Sequence, residues 1–104
     1  MGYYTRHELE IIDGSNDLIS ELRKECDEAR YALEDDGSPE ESSKWYNHDT
    51  DLKRFSQNHP EALFLLRGEG EDSGDIWREY YKNGKVQVCK AKLVFPDFNA
   101  DLLS

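Results

Sequence analysis

The first stretch of the chain alternates apolar and polar positions. From Tyr3 to Ile12, one face collects the alternate residues Tyr3, Thr5, His7, Leu9 and Ile11. Arg6, Glu8 and Glu10 fall on the other face, while Tyr4 and Ile12 are apolar exceptions. A period of two residues is typical of a half-buried strand. The turn-forming residues 13–16 end this predicted strand and offer an N-cap for a helix.

The next two segments have helical spacing. From Asp17 to about Glu34 the apolar positions recur every three or four residues, which predicts one amphipathic helix. Its stripe consists of Leu18, Leu22, Cys26, Ala29 and Leu33. The loop-forming residues 35–39 end it. A second helix is predicted to begin near Pro39 or Ser42 and to run to Gln57, with Trp45, His48, Leu52 and Phe55 on its apolar stripe.

The second half of the chain predicts three strands. Ala62 to Leu66 is a continuous apolar run, consistent with a strand buried on both faces. Asp75 to Lys82 predicts the next strand, and the dipeptide after it, Asn83-Gly84, is typical of a type I′ hairpin turn. Such a turn sets the cross-strand pairs Tyr81 with Val86, Glu79 with Val88, and Trp77 with Lys90. The pattern leaves open which hairpin face meets the helices.

These elements predict an α+β fold with the order β-α-α-β-β-β. A mostly antiparallel four-stranded sheet would carry both helices on one face. A length of 104 residues suits one domain spanning residues 1–104, because a chain this short builds one core. Residues 97–104 would form a short C-terminal tail, anchored at most by Phe98 or Leu102.

Charge narrows the functional classes. The formal net charge of −10 argues against direct binding to nucleic acid or to an anionic membrane, since both need clustered basic residues. Acids concentrate between the predicted helices, where Lys44 is the single basic residue among Glu34, Asp35, Asp36, Glu40, Glu41, Asp49 and Asp51. In residues 75–92, by contrast, basic residues outnumber acidic ones. The acidic segment therefore predicts a negative surface patch, with a merely solvated face as the alternative.

No stretch predicts a catalytic residue, a metal site or a cofactor. The three histidines lack metal-binding spacing, and His48 is expected to pack beside Trp45 and Leu52. The acidic connection 69–75 would repel phosphate but leaves a metal- or ligand-binding enzyme as an alternative function. Cys26 and Cys89 are predicted to be core thiols rather than a disulfide, which together with the lack of a secretory signal suggests a cytoplasmic protein.

The segment from Trp45 to Phe98 resembles small proteins encoded by bacteriophages and prophages. The shared pattern comprises Trp45 with His48-Asp49, Phe55-Ser56, Pro60, Phe64-Leu65-Leu66, Gly68-Glu69-Gly70-Glu71, Ser73-Gly74-Asp75-Ile76-Trp77, Tyr80-Tyr81-Lys82-Asn83-Gly84-Lys85 and Phe95-Pro96-Asp97-Phe98. The resemblance transfers no active-site residue. It implies a small protein acting in the cytoplasm of an infected bacterium.

These observations together predict a non-enzymatic interaction protein. It would bind and inhibit a host protein, such as a defence or nucleic-acid-processing enzyme whose basic groove attracts an acidic, DNA-mimic-like surface, as an anti-CRISPR-like inhibitor would. The seven acids would steer the encounter, and an exposed Trp77 or Tyr81 would anchor it. A third possibility is a structural subunit that self-associates through its sheet edge. The sequence leaves the partner, the oligomeric state and the strand order of the sheet open.

Overall fold

The computed structural model describes residues 3–92 and 94–104, and it confirms the α+β fold. Its strands are β1 (Thr5–Asp13), β2 (Leu63–Gly70), β3 (Ile76–Lys82) and β4 (Lys85–Lys90). Its helices are α1 (Asp17–Glu25), α2 (Asp27–Ala32) and α3 (His48–Asn58), followed by a 3₁₀ turn at Ala100–Leu102. No helix in the described part of the chain is long and apolar enough to cross a bilayer.

The four strands form one antiparallel sheet in the order β1-β2-β3-β4. The predicted hairpin register is confirmed, because Tyr81 pairs with Val86 and Trp77 with Lys90. Asn83 and Gly84 both have positive φ angles, 48° and 77°, as a type I′ turn requires. This turn fixes which β3 side chains share a face.

The core lies between one face of the sheet and the helices. Leu9 of β1, Phe64 of β2 and Tyr81 of β3 are buried in one cluster with Leu22 of α1 and Leu52 of α3. The hairpin therefore turns its Trp77–Tyr81 face toward the helices. On the outer face of the central strand Leu65 is also buried, which confirms the prediction that this strand is covered on both sides.

The first predicted helix is interrupted at Cys26. This residue has an extended conformation (φ −129°, ψ 110°) and separates α1 from α2. Its thiol donates to Asp51 Oδ2 of α3 at 3.3 Å, so the break turns Cys26 toward the neighbouring helix. Neither glycine nor proline marks the position, which is why the helical spacing alone predicted one continuous helix.

The second predicted helix begins at His48, later than either predicted start. The segment 39–47 is instead non-helical, and within it Ser43 exchanges two backbone hydrogen bonds of 2.8 and 2.9 Å with Thr5 of β1. These bonds satisfy backbone groups that a helix would have used. Trp45 is consequently buried in a non-helical segment just before α3.

The prediction of two core thiols was wrong for one of them. Both cysteines are free thiols, as expected, but only Cys26 is buried, since Cys89 is half-exposed on the outer face of the sheet. The C-terminal tail is not anchored by its apolar residues, because Phe98 is 81% exposed and Leu102 is 71% exposed.

Candidate functional site

The acidic loop, residues 34–41, is held in place by backbone hydrogen bonds. Leu9 N–H of β1 donates to the Gly37 carbonyl at 2.8 Å. Within the loop, Glu34 N–H donates to the Ser38 carbonyl at 2.8 Å and Gly37 N–H to the Glu34 carbonyl at 2.9 Å. Gly37 has a φ of +88°, and a Cβ there would overlap the Leu9 carbonyl, so the loop depends on glycine.

Acidic side chains surround a concavity beside this loop. Glu34, Asp35, Asp36 and Glu40 line an open space of about 460 Å³ together with Arg23 of α1. Arg23 forms an ion pair with Asp35 and donates to the Leu33 carbonyl, so it neutralises one of the four acids. All four acidic residues are exposed, as is Glu41 next to them. The loop therefore presents a net negative surface.

Two acidic side chains of the loop are also held by hydrogen bonds from Ser38. Ser38 donates from its N–H and its hydroxyl to Asp36 Oδ1, at 2.9 and 2.5 Å. These bonds lower the pKa of Asp36, so its carboxylate stays charged in mildly acidic solution. Ser38 also contacts Glu34 Oε2 at 3.2 Å.

The two acids of α3 separate from the loop acids. Asp49 is exposed at the start of the helix, outside the concavity. Asp51 is only 14% exposed in its side chain, because it accepts hydrogen bonds from Trp45 Nε1 at 2.9 Å and from the Cys26 thiol. Its carboxylate is therefore occupied by internal bonds, including one from Arg54 Nη2 at 3.4 Å, and adds little to the exposed negative surface where the sequence analysis placed it.

The aromatic anchors predicted on β3 face inward. Tyr81 is completely buried, which makes its prediction as an exposed anchor wrong. Trp77 is half-buried because its indole lies over Gly68 and stacks on His48, with ring centroids 4.8 Å apart. The I′ register places Trp77 and Tyr81 on the same face, so both follow the hairpin toward the helices.

A second group of polar residues lies under α3. Tyr81 donates its hydroxyl to Glu79 Oε1 at 2.5 Å, and His48 Nδ1 lies 2.8 Å from the same oxygen. The His48 nitrogen is at ion-pair distance but is not aligned for a hydrogen bond. His7 is buried beside these groups, with its ring centroid 5.5 Å from Trp45 and 5.9 Å from His48. The predicted packing of His48 near Trp45 is confirmed, because their ring centroids lie 6.2 Å apart.

Burial sets the protonation of this cluster. Burial lowers the pKa of His7 to about 4, with a further lowering by His48 that Glu79 partly opposes. Burial by itself would raise the pKa of Glu79, but the contacts with His48 and Tyr81 outweigh it and the net shift is downward. Burial, together with the bond to Glu79, raises the pKa of Tyr81. At neutral pH the cluster therefore holds a neutral His7 beside an ionised Glu79.

The connection 69–75, which the sequence left open as a metal- or ligand-binding loop, forms hydrogen bonds with Tyr3. Tyr3 donates its hydroxyl to Asp75 Oδ2 at 2.6 Å and accepts from Asp72 N–H at 3.0 Å. This bond to Asp75 raises the pKa of Tyr3. Across residues 3–92 and 94–104, no three side chains of histidine, cysteine, aspartate or glutamate are grouped as metal ligands.

Sequence reasoning did not single out His7, Glu79 or Tyr3 as members of polar contacts. A signal existed for Glu79, since the hairpin register places it between Trp77 and Tyr81 on one face. Once that face is buried, its carboxylate requires internal partners.

The chain matches no protein-family model, no curated protein and no solved structure in the comparisons made with each of them.

Proposed function

We propose that this protein is an interaction module that captures and inhibits a host protein through its acidic loop. The observation that carries the proposal is a set of exposed carboxylates on a loop whose backbone is fixed against β1. The surface consists of Glu34, Asp35, Asp36, Glu40 and Glu41.

The order of the loop matters for affinity. Binding costs conformational entropy when a flexible loop must become ordered, and a loop that is ordered beforehand avoids that cost. Here Gly37 and the Leu9–Gly37 bond hold the backbone of the loop in position before any partner arrives. Fixed charges of one sign also accelerate the encounter with an oppositely charged surface.

The partner is therefore a protein with a basic groove. A defence or nucleic-acid-processing enzyme has such a groove because it binds phosphates. The bacterial setting of this proposal rests on the resemblance of residues 45–98 to phage-encoded proteins. Because Asp51 is mostly buried and Tyr81 is fully buried, we assign the steering role to the loop acids, with exposed Asp49 as an outlying charge.

The test is affinity capture from a bacterial host lysate with the tagged full chain, followed by mass spectrometry. A loop variant carries Glu34→Lys, Glu40→Lys and Glu41→Lys, which avoids the Asp36 turn and the Arg23–Asp35 pair. We expect this variant to lose the captured protein. Circular dichroism melting of each variant establishes that the fold is retained.

A matched control carries three reversals of exposed acids elsewhere: Glu25→Lys, Glu28→Lys and Glu61→Lys. Both triple variants change the formal net charge from −10 to −4, since each reversal adds two positive charges. Capture that survives in the control and disappears in the loop variant supports the proposal. Equal capture by the two variants refutes a role for the loop.

Pre-organisation is tested separately with Gly37→Ala. The added Cβ meets the Leu9 carbonyl at a positive φ, so the loop must shift while its charge is unchanged. We expect weaker capture from a folded variant. Wild-type capture by this variant would show that charge alone, without the observed loop conformation, determines binding.

A further inference from the structure

The C-terminal arm, residues 94–104, projects its apolar side chains into solvent. Its exposed apolar residues are Val94, Phe95, Phe98, Leu102 and Leu103. Phe95 is 85% exposed, the highest value among them. The hydrogen bonds described for the arm join its own residues, such as Leu102 N–H to the Asn99 carbonyl. A cluster of exposed large apolar side chains marks an interaction surface.

The turn end of the β3–β4 hairpin carries an apolar concavity. Leu63, Tyr80 and Val86 line an open space of about 430 Å³ together with the polar residues Lys82, Asn83, Lys85 and Gln87. Most of its exposed lining is apolar, as in sites that accept aromatic or aliphatic side chains.

The arm and the concavity have complementary charge. Residues 94–104 contain Asp97 and Asp101 and no basic residue. The concavity is bordered by two lysines, and Lys90 lies further along the same strand. The arm therefore matches the concavity both in its apolar side chains and in the sign of its charge.

The topology keeps these two features apart within one molecule. The turn lies at the Lys85 end of β4, whereas the arm follows the Lys90 end. β4 is also at the edge of the sheet. When two copies lie side by side with their β4 strands antiparallel, the arm of each copy begins beside the hairpin turn of the other. An arm of this length extends up to roughly 35 Å, which exceeds the length of β4.

We propose that this protein forms a two-fold dimer in which each copy's C-terminal arm occupies the hairpin concavity of the other. The contact is isologous, because the same arm and the same concavity are used twice. Lys85 and Lys90 both lie on β4, so their positive charges disfavour a direct pairing of two β4 edges. The two aspartates of each arm offset that repulsion.

The first measurement is the mass of the full chain by light scattering over a range of concentrations. The dimer has twice the 12.1 kDa mass of the chain. We expect Phe95→Asp with Phe98→Asp to give the monomer mass at concentrations where the wild type is dimeric. Tyr31→Asp, which changes an aromatic of α2 that is also exposed, is the matched control and remains dimeric. A wild type that is monomeric throughout, or a dimer that survives the arm substitutions, overturns the proposal.

Charge exchange tests the site itself. Lys82→Glu with Lys85→Glu should give a monomer, and so should Asp97→Lys with Asp101→Lys, because each places like charges together. Mixing these two monomeric variants should restore a dimer, since each arm then meets a concavity of opposite charge. An arm that folded back on its own domain would show no such restoration. Failure of the mixture to associate overturns the assignment of the concavity, whatever the outcome for the acidic loop.

Discussion

His7 makes the stability of this protein sensitive to mild acid. The imidazole is 1% exposed and lies among the rings of Trp45, His48 and Trp77. Burial, and to a lesser degree His48, lowers its pKa to about 4 from an ordinary value of 6.5, against an opposing contribution from Glu79. The unfolded chain therefore binds a proton in a range where the folded chain does not.

The sign and size of the effect follow from linkage. As the pH falls below 6.5, protonation stabilises the unfolded state first, so the free energy of unfolding decreases until the folded His7 titrates near pH 4. At about 1.4 kcal/mol per pKa unit, the full effect is about 3 kcal/mol. Between pH 7 and pH 5 the expected loss from this histidine is about 2 kcal/mol. The lowered pKa of Glu79 adds a loss of the same sign, beginning near pH 4.5.

The assay is urea unfolding at several pH values between 7.5 and 4.5, comparing the wild type with His7→Gln. We expect the variant to have a flatter dependence on pH, whatever its stability at pH 7. Leu9→Val, on the same face of β1, is the control, because it should cost about 1 kcal/mol equally at every pH. If His7→Gln keeps the wild-type pH dependence, the buried neutral imidazole does not account for acid sensitivity.

Three other predictions concern the core and the thiols. Glu79→Gln should lower the free energy of unfolding by about 1–3 kcal/mol, because a buried phenol and an imidazole lose their charged partner; chemical denaturation at pH 7 measures this, and an unchanged midpoint would contradict it. Gly68→Ala should cost about 1–3 kcal/mol and alter tryptophan fluorescence, since the new Cβ overlaps the Trp77 indole; an unperturbed spectrum and melting curve would refute that packing. Under native conditions a thiol reagent should modify Cys89 much faster than Cys26, whose pKa burial raises to about 11. Rapid modification of two thiols in the folded wild type would be inconsistent with the structure.

The four strands and the hairpin register could be predicted because their signals are local, whereas the order of the strands in the sheet could not. Alternation defined β1, an unbroken apolar run defined β2, and Asn83-Gly84 fixed both the turn and the register of β3 with β4. In a hairpin with a two-residue turn, the turn itself determines every cross-strand pair. The helices on one face followed from the order of the elements.

The regions that were predicted wrongly depend on contacts between distant residues. Cys26 leaves the helix to meet Asp51, 25 positions away in the chain, and no local residue type marks that break. Ser43 pairs with Thr5, which makes extended a segment whose spacing alone suggested a helix. Local spacing describes amphipathicity and does not reveal a competing backbone partner elsewhere in the fold.

Only part of the candidate site could be predicted from the sequence, because the contacts of some of its side chains also involve distant residues. The density of acids in residues 34–41 is visible in the sequence, and the structure shows all five exposed, four of them around one concavity. The internal roles of Asp51 and Tyr81 are not visible there, because they depend on which face of α3 and of the hairpin is buried. The sequence alone does not distinguish an exposed carboxylate that steers a partner from one that accepts a hydrogen bond from a buried indole.

The most direct test of the acidic loop is the dissociation constant of the complex with the captured partner, once that partner is purified. We expect the loop variant, with Glu34, Glu40 and Glu41 changed to lysine, to bind roughly tenfold more weakly or worse. The matched variant of Glu25, Glu28 and Glu61 has the same net charge and should bind within about threefold of the wild type. Equal weakening in both variants would show that net charge, and not the ordered acidic loop, determines binding.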